Sequence, residues 1–126
     1  MKITNRLKKK MLVLDGIDNA FIDYGAEIAC PECEGVIVYS IVNSYDFDSL
    51  SEEIKYFLVK KMRCVKFVSE HKKYIYDESH LYVSKNTCSK CLKEFSTVLT
   101  YKEVQPARYR VYVVGLFDGD LKQFKL

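Results

Sequence analysis

The chain has 126 residues, of which 48% are hydrophobic and 29% are charged, with ten tyrosines and no tryptophan. This length and balance predict one soluble globular domain, residues 1–126, with its own hydrophobic core, and no apolar run reaches the ~18 residues of a membrane helix. The formal net charge of +3 conceals a segregation, because residues 1–10 hold five bases and no acid, whereas residues 11–54 hold ten acids and no Lys or Arg.

The basic N-terminus and the apolar residues 11–14 look at first like the start of a secretory signal. Such a signal needs an apolar region of roughly 7–15 residues, and here Asp15 follows after only four. We therefore expect a cytoplasmic protein in which residues 11–14 form a short strand. The sequence DGIDN at residues 15–19 indicates a turn after it.

The middle of the chain predicts one central strand and one helix. Residues 36–42, VIVYSIV, form a β-branched run with apolar residues on both faces, which is typical of a central strand. A helix is predicted at residues 50–62, with Ser49 as N-cap and Glu52 completing a capping box. Its apolar stripe, at helical spacing, consists of Leu50, Ile54, Phe57, Leu58 and Met62.

The C-terminal half predicts short strands. Apolar alternation from Tyr109 to Phe117 indicates a strand with one buried face, and Asp118-Gly119 between apolar pairs predicts a tight hairpin. The fold class is therefore α+β, a mostly antiparallel β-sheet with one amphipathic helix. Further strands are predicted at residues 64–68, 73–76, 81–83 and 95–104.

Four of the five cysteines form two C-x-x-C pairs, in CPEC at residues 30–33 and in CSKC at residues 88–91. Two intervening residues let both sulfurs of a pair turn inwards from one loop, and zinc takes four such ligands at tetrahedral corners. An odd number of cysteines without a secretory signal argues against a disulfide framework. The spacing therefore favours one structural zinc.

Three other interpretations of the pairs compete with the zinc site. A redox pair usually opens a helix after a strand, whereas the β-branched residues that follow Cys33 do not predict one. Four free buried thiols would leave two independent pairs unexplained, and two separate metals would need ligands beyond His71 and His80, which have no matched spacing. These histidines are predicted on the surface or in loops. Cys64 is predicted as a small core residue, with a catalytic thiol as the alternative.

The sequence CPECEG resembles the first knuckle of a zinc ribbon, and CSKC matches the second in spacing. The resemblance implies two hairpin turns that share one structural zinc, with Pro31 stiffening the first turn and Gly35 adopting a positive φ after it. A closed four-sulfur site leaves no position for a substrate, so the metal would act as a staple. The implied ligands are Cys30, Cys33, Cys88 and Cys91.

No catalytic triad, phosphate-binding loop or H-E-x-x-H motif is visible, so we expect a protein that is not an enzyme. Its charged segments are candidate contact surfaces for a protein partner or for nucleic acid. The acidic stretch with Asp15, Asp18 and Asp23 could imitate the charge of nucleic acid, and Arg108 and Arg110 alternate with a tyrosine as nucleic-acid surfaces do. The alternatives are solvated faces, or charge blocks that complement each other within the chain.

In size, in its Lys-, Ile- and Tyr-rich composition and in having a structural zinc without a catalytic signature, the chain is similar to small phage proteins that block host defence. Among these it resembles the anti-CRISPR metalloproteins that act on Cas9-type nucleases. That resemblance implies inhibition in the host cytoplasm by binding the effector and hindering its action on DNA. The alternative is a small zinc-ribbon protein that binds nucleic acid or is associated with transcription.

Overall fold

Ten strands and two helices make up the described part of the chain in a computed structural model, which covers residues 4–17 and 21–123. No helix in these residues is long and apolar enough to span a membrane. In chain order the elements are β1 (Met11–Ile17), α1 (Phe21–Tyr24), β2 (Ala26–Ala29), β3 (Val36–Tyr39), β4 (Ser44–Asp46), α2 (Glu52–Met62), β5 (Lys66–Val68), β6 (Lys73–Tyr76), β7 (Ser79–Thr87), β8 (Glu94–Thr100), β9 (Lys102–Gln105) and β10 (Arg108–Asp118).

One large antiparallel sheet organises these elements. Its strands lie in the order β1-β10-β8-β7-β6-β5, with β4 paired to β7 and β9 paired to β10. The strands β2 and β3 form a separate two-stranded sheet. The predicted α+β class, mostly antiparallel with one main helix, is therefore confirmed.

Helix α2 begins later than the sequence predicted. The hydroxyl oxygen of Ser51, not that of Ser49, accepts the backbone N–H of Ile54 at 3.4 Å and caps the helix. Ser49 closes a preceding 3₁₀ turn, Phe47–Ser49, by donating its hydroxyl to the Asp46 carbonyl at 2.6 Å. Because Leu50 is extended after this turn, helical geometry can start only beyond Ser51.

The helix covers one face of the large sheet. Ile54, Leu58 and Met62 are buried among strand residues such as Val98, and each such side chain contributes roughly 1.5–3 kcal/mol by leaving water. The predicted place of Phe57 in this stripe is wrong, because Phe57 lies beside the line of i, i+4 residues and is 45% exposed.

Lys55 is buried on the helix instead, with only 4% of its surface exposed. Its ammonium lies 2.9 Å from the Glu52 carboxylate and 3.8 Å from that of Asp48, and it faces the Tyr74 ring at 5.8 Å. These partners make the burial of a charge tolerable. Asp48 shares the pocket, and burial raises the pKa of its carboxyl.

The β2–β3 hairpin covers the opposite face of the sheet. Ile37 and Tyr39 point into the core, whereas Val36 and Val38 face outwards. The predicted central strand at residues 36–42 is therefore wrong, since β3 is short, belongs to the two-stranded sheet and has one exposed face. Strand β8 takes the central place, because its residues after Glu94 are buried on both faces.

A bulge changes the pattern of β10. The register shifts between Val113 and Gly115. As a result, Phe117 packs on the sheet face that helix α2 covers (the helix side), while Val111 and Val113 pack on the face that the β2–β3 hairpin covers (the hairpin side). The predicted single face from Tyr109 to Phe117 is thus wrong beyond the bulge.

Other predicted boundaries also differ. The strand at residues 95–104 is divided at Tyr101 into β8 and β9. The predicted turn at residues 15–19 begins inside β1, and Asp18 and Asn19 lie outside the described residues. The hairpin predicted at Asp118-Gly119 is absent from the described residues, although Gly119 does take a positive φ of 80°. A 3₁₀ turn, Leu121–Gln123, follows instead of a strand, and Leu121 is buried in the core on the helix side.

The cap at Ser51 yields a stability test. We expect Ser51→Ala to lower the free energy of unfolding by about 1 kcal/mol, because the N–H of Ile54 loses its acceptor. Chemical denaturation measures this change. The exposed turn residue Ser69 provides the control, and equal stabilities of Ser51→Ala and Ser69→Ala would show that the cap does not matter.

Candidate metal centre

Each cysteine pair lies in the turn of a β-hairpin. Cys30 to Gly35 form the turn from β2 to β3, which the N–H of Cys30 closes by donating to the Gly35 carbonyl at 3.0 Å. Cys88 to Lys93 form the turn from β7 to β8, closed in the same way at 2.9 Å. The zinc-ribbon resemblance implied this arrangement of two hairpin turns, and the large sheet brings the turns together.

The four sulfurs converge on one point. They all lie within 4.8 Å of one another, with 3.8 Å between Cys30 and Cys91 and 3.5 Å between Cys33 and Cys88. A tetrahedron with metal–sulfur bonds near 2.3 Å has edges of about 3.8 Å. The predicted ligand set could therefore hold one metal ion, and thiolates are ligands that soft or borderline metals prefer.

Backbone N–H groups orient the sulfurs. Glu32 donates to Cys30 Sγ at 3.4 Å, Gly35 to Cys33 Sγ at 3.3 Å and Lys90 to Cys88 Sγ at 3.4 Å. Such bonds fix each sulfur and favour its thiolate form.

The pKa values of two thiols in the cluster are shifted in opposite directions. The N–H of Cys91, helped by that of Lys90, outweighs desolvation and lowers the pKa of Cys88 to about 6. The N–H of Lys93 also favours the Cys91 thiolate, but desolvation and the sulfurs of Cys33 and Cys88 oppose it, so the pKa of Cys91 is raised to about 11. A bound cation would allow all four thiols to ionise together.

Gly35 is required for space. A Cβ there would lie 2.7 Å from Cys88 Sγ and 2.7 Å from the Lys90 Cβ. The expected positive φ at Gly35 is wrong, since the glycine serves the close approach of the two turns. In the second turn it is Leu92 that adopts a left-handed φ of 62°, an uncommon conformation for a leucine.

Two cations and two carboxylates surround the turns. Arg6 contacts Glu32 at 2.6 Å and Asp118 at 3.1 Å, and Lys93 contacts the same two acids at 3.1 and 3.4 Å. The hydrogen bond from Arg6 lowers the pKa of Glu32, and Lys93 adds to the shift. These ion pairs join the N-terminal segment, both hairpin turns and the end of β10.

A buried polar network, which the sequence analysis missed, holds β3 against β7. The Asn86 amide donates to the Val38 carbonyl at 2.5 Å and accepts from the Thr97 hydroxyl at 3.1 Å. Ser84 accepts the N–H of Ser40 at 3.1 Å. The sequence feature that could have indicated this network is the polar Ser-Lys-Asn run at residues 84–86. This run continues the strand of the apolar residues 81–83.

The predicted partner-binding residues are mostly engaged within the chain. Arg108 donates to Asp15 at 2.8 Å, so an acid and a base from the two charge hypotheses pair with each other. Arg110 forms two bonds of 2.6 Å to Asp77. Asp23 is exposed on α1, and Asp18 lies outside the described residues. Charge complementarity within the chain thus accounts for part of the segregation.

The remaining candidates are unremarkable in chemistry. Cys64 is partly buried against the helix-side core, and burial raises the pKa of its thiol. His71 and His80 are exposed, as expected.

Removal of two ligands tests the metal centre. We expect Cys30→Ser with Cys88→Ser to lose about one bound metal ion per chain and to unfold, because metal binding contributes folding free energy. Elemental analysis and circular dichroism measure both effects. Cys64→Ser should retain the metal, and a double variant that is folded without metal would disprove the staple.

A single methyl group tests the approach of the turns. We expect Gly35→Ala to weaken metal affinity, because its Cβ would overlap Cys88 Sγ. Competition with a chromogenic chelator measures this. Leu92→Gly, which relieves the left-handed conformation in the other turn, should bind at least as tightly. Equal affinity of Gly35→Ala and the native chain would contradict the predicted overlap.

Comparisons of the chain with protein-family models, with curated proteins and with solved structures found no match. The arrangement of the residues must therefore support any assignment of function.

Proposed function

We propose that the protein is a binding protein without enzymatic activity, stabilised as a single domain by one structural zinc ion. The observation that carries this proposal is the convergence of four cysteine sulfurs from two hairpin turns. Four thiolates at tetrahedral spacing suit Zn²⁺, which needs no redox chemistry to remain bound. A site filled by four sulfurs has no position for water or substrate, which supports a structural role.

The proposed partner is a bacterial defence nuclease of the Cas9 type. In this proposal the protein acts as a phage-encoded inhibitor in the host cytoplasm, where it binds the effector and hinders its action on DNA. Support comes from exposed apolar side chains at the end of β1 and on α1, together with an exposed acid on α1. Tyr24 is 77% exposed, Ile17 is 67% exposed, and Asp23 lies beside Tyr24 on α1. Exposed tyrosines are enriched at protein contact sites.

A direct contact with nucleic acid is the second candidate function. The sequence placed it at Arg108 and Arg110, but both side chains are paired with carboxylates. A groove lined by five other basic residues supports it better, and this groove is the basis of the inference in the next subsection.

The inhibitor proposal predicts binding and inhibition by the purified protein. We expect it to co-elute with a Cas9-type nuclease and to reduce cleavage of target DNA. Asp23→Lys with Tyr24→Ala should weaken binding about tenfold or more, since an interface anchor contributes over 1.4 kcal/mol. Asp15 is unsuitable for charge reversal, because it pairs with Arg108.

Glu70→Lys is the matched control, because it reverses one exposed acid in a turn away from α1. It should bind as the native chain does. Absence of both co-elution and inhibition across a panel of such nucleases would contradict the inhibitor proposal while leaving the zinc site intact.

A further inference from the structure

A basic groove lies where the N-terminal segment passes the end of helix α2. Its volume is about 290 Å³, and its basic lining residues are Lys8, Lys9, Lys10, Lys61 and Arg63. Its other described lining residues are neutral. All five basic residues are exposed. The groove therefore concentrates positive charge on one small surface.

Hydrogen bonds fix the two walls of this groove. The Asn5 side chain donates to the Lys61 carbonyl at 3.5 Å and accepts the N–H of Leu116 at 3.0 Å. Arg63 ends the helix in a left-handed conformation, with its N–H bonded to the Val59 carbonyl at 2.9 Å. The two Asn5 bonds thus hold the N-terminal segment, with its lysines, next to the end of the helix.

Ion pairs within the described residues do not balance the positive charge of the groove. Among residues 4–17 and 21–123, no carboxylate forms an ion pair with the five basic residues. One of them, Lys10, faces the Tyr76 ring at 5.6 Å. The C-terminal end of the helix dipole favours Lys61 but does not account for three consecutive lysines opposite it. Basic residues elsewhere that do form ion pairs are Arg6, Lys55, Lys85, Lys93, Lys102, Arg108 and Arg110.

One exposed aromatic side chain lies on the helix one turn before the groove. Phe57 is 45% exposed and precedes Lys61 by one turn, so the two lie on the same side of α2. Clustered cations beside an exposed ring are the combination that binds phosphates and stacks bases.

We infer that this groove is a binding site for the phosphodiester backbone of nucleic acid. The inference rests on the second candidate function and assigns it a surface. Lysines act as mobile point charges, so they would bind phosphates without reading sequence. An acidic protein would match the charge, but it would leave the exposed Phe57 ring without a base to stack on.

The test measures binding of fluorescein-labelled oligonucleotides of mixed sequence by anisotropy over a range of salt concentrations. We expect Lys9→Gln with Lys61→Gln to weaken binding at low salt about tenfold or more and to reduce the salt slope by about two. The control is Lys66→Gln with Lys72→Asn, which removes two exposed charges outside the groove and should leave the slope unchanged. If the groove variant does not fold, Lys8→Gln with Arg63→Asn replaces it.

Single-stranded and duplex oligonucleotides are measured separately, to determine which of the two the groove binds. Loss of affinity for single strands in Phe57→Ala, with duplex binding unchanged, would assign the ring to base stacking. Equal effects of the groove and control variants, or no binding by the native chain, would overturn the inference. Polyglutamate binding as tight as DNA would also overturn it in favour of an acidic protein. Metal content measured in every variant separates these outcomes from failure of the zinc site.

Discussion

The convergence of four sulfurs at the tips of two hairpins is the constraint on which the rest of the structure depends. The β2–β3 hairpin has only two short strands, and such a hairpin is marginally stable alone in water. It stays on the large sheet through the burial of Ile37 and Tyr39, through the polar network around Asn86 and through the cysteine cluster at its tip. Because this hairpin covers one face of β8, the cluster also keeps the central strand out of water.

The distribution of charge follows from the same assembly. Some acidic residues before position 55 lie close to bases from distant parts of the chain, as in the pairs of Asp15 with Arg108 and Glu32 with Lys93. Each exposed pair contributes little stability, but together they offset part of the charge contrast that the sequence displays. A local excess of positive charge lies at the N-terminal segment and the end of α2, one helical turn from the exposed ring of Phe57.

The sequence was most informative where a local pattern determines structure. Two C-x-x-C pairs, one amphipathic helix and several β-rich runs were sufficient to predict the cysteine cluster and the fold class. The failures came from tertiary context. Leu50 fits the apolar spacing of the helix, but it follows a 3₁₀ turn and lies outside the helix. The run beginning at Val36 was predicted as a central strand, because its apolar pattern does not show that one face is exposed. No local pattern marks the bulge near Gly115 that turns Phe117 to the other face.

The wide separation of the cysteine pairs also determines when the site can form. Fifty-four residues lie between Cys33 and Cys88, so neither hairpin can offer four sulfurs on its own. Closing so long a loop costs conformational entropy, and contacts distant in sequence form slowly. Coordination of a metal by all four cysteines would therefore require the pairing of β7 with β8 and the docking of the first hairpin. A metal held by four sulfurs would indicate that both hairpins have reached their native positions.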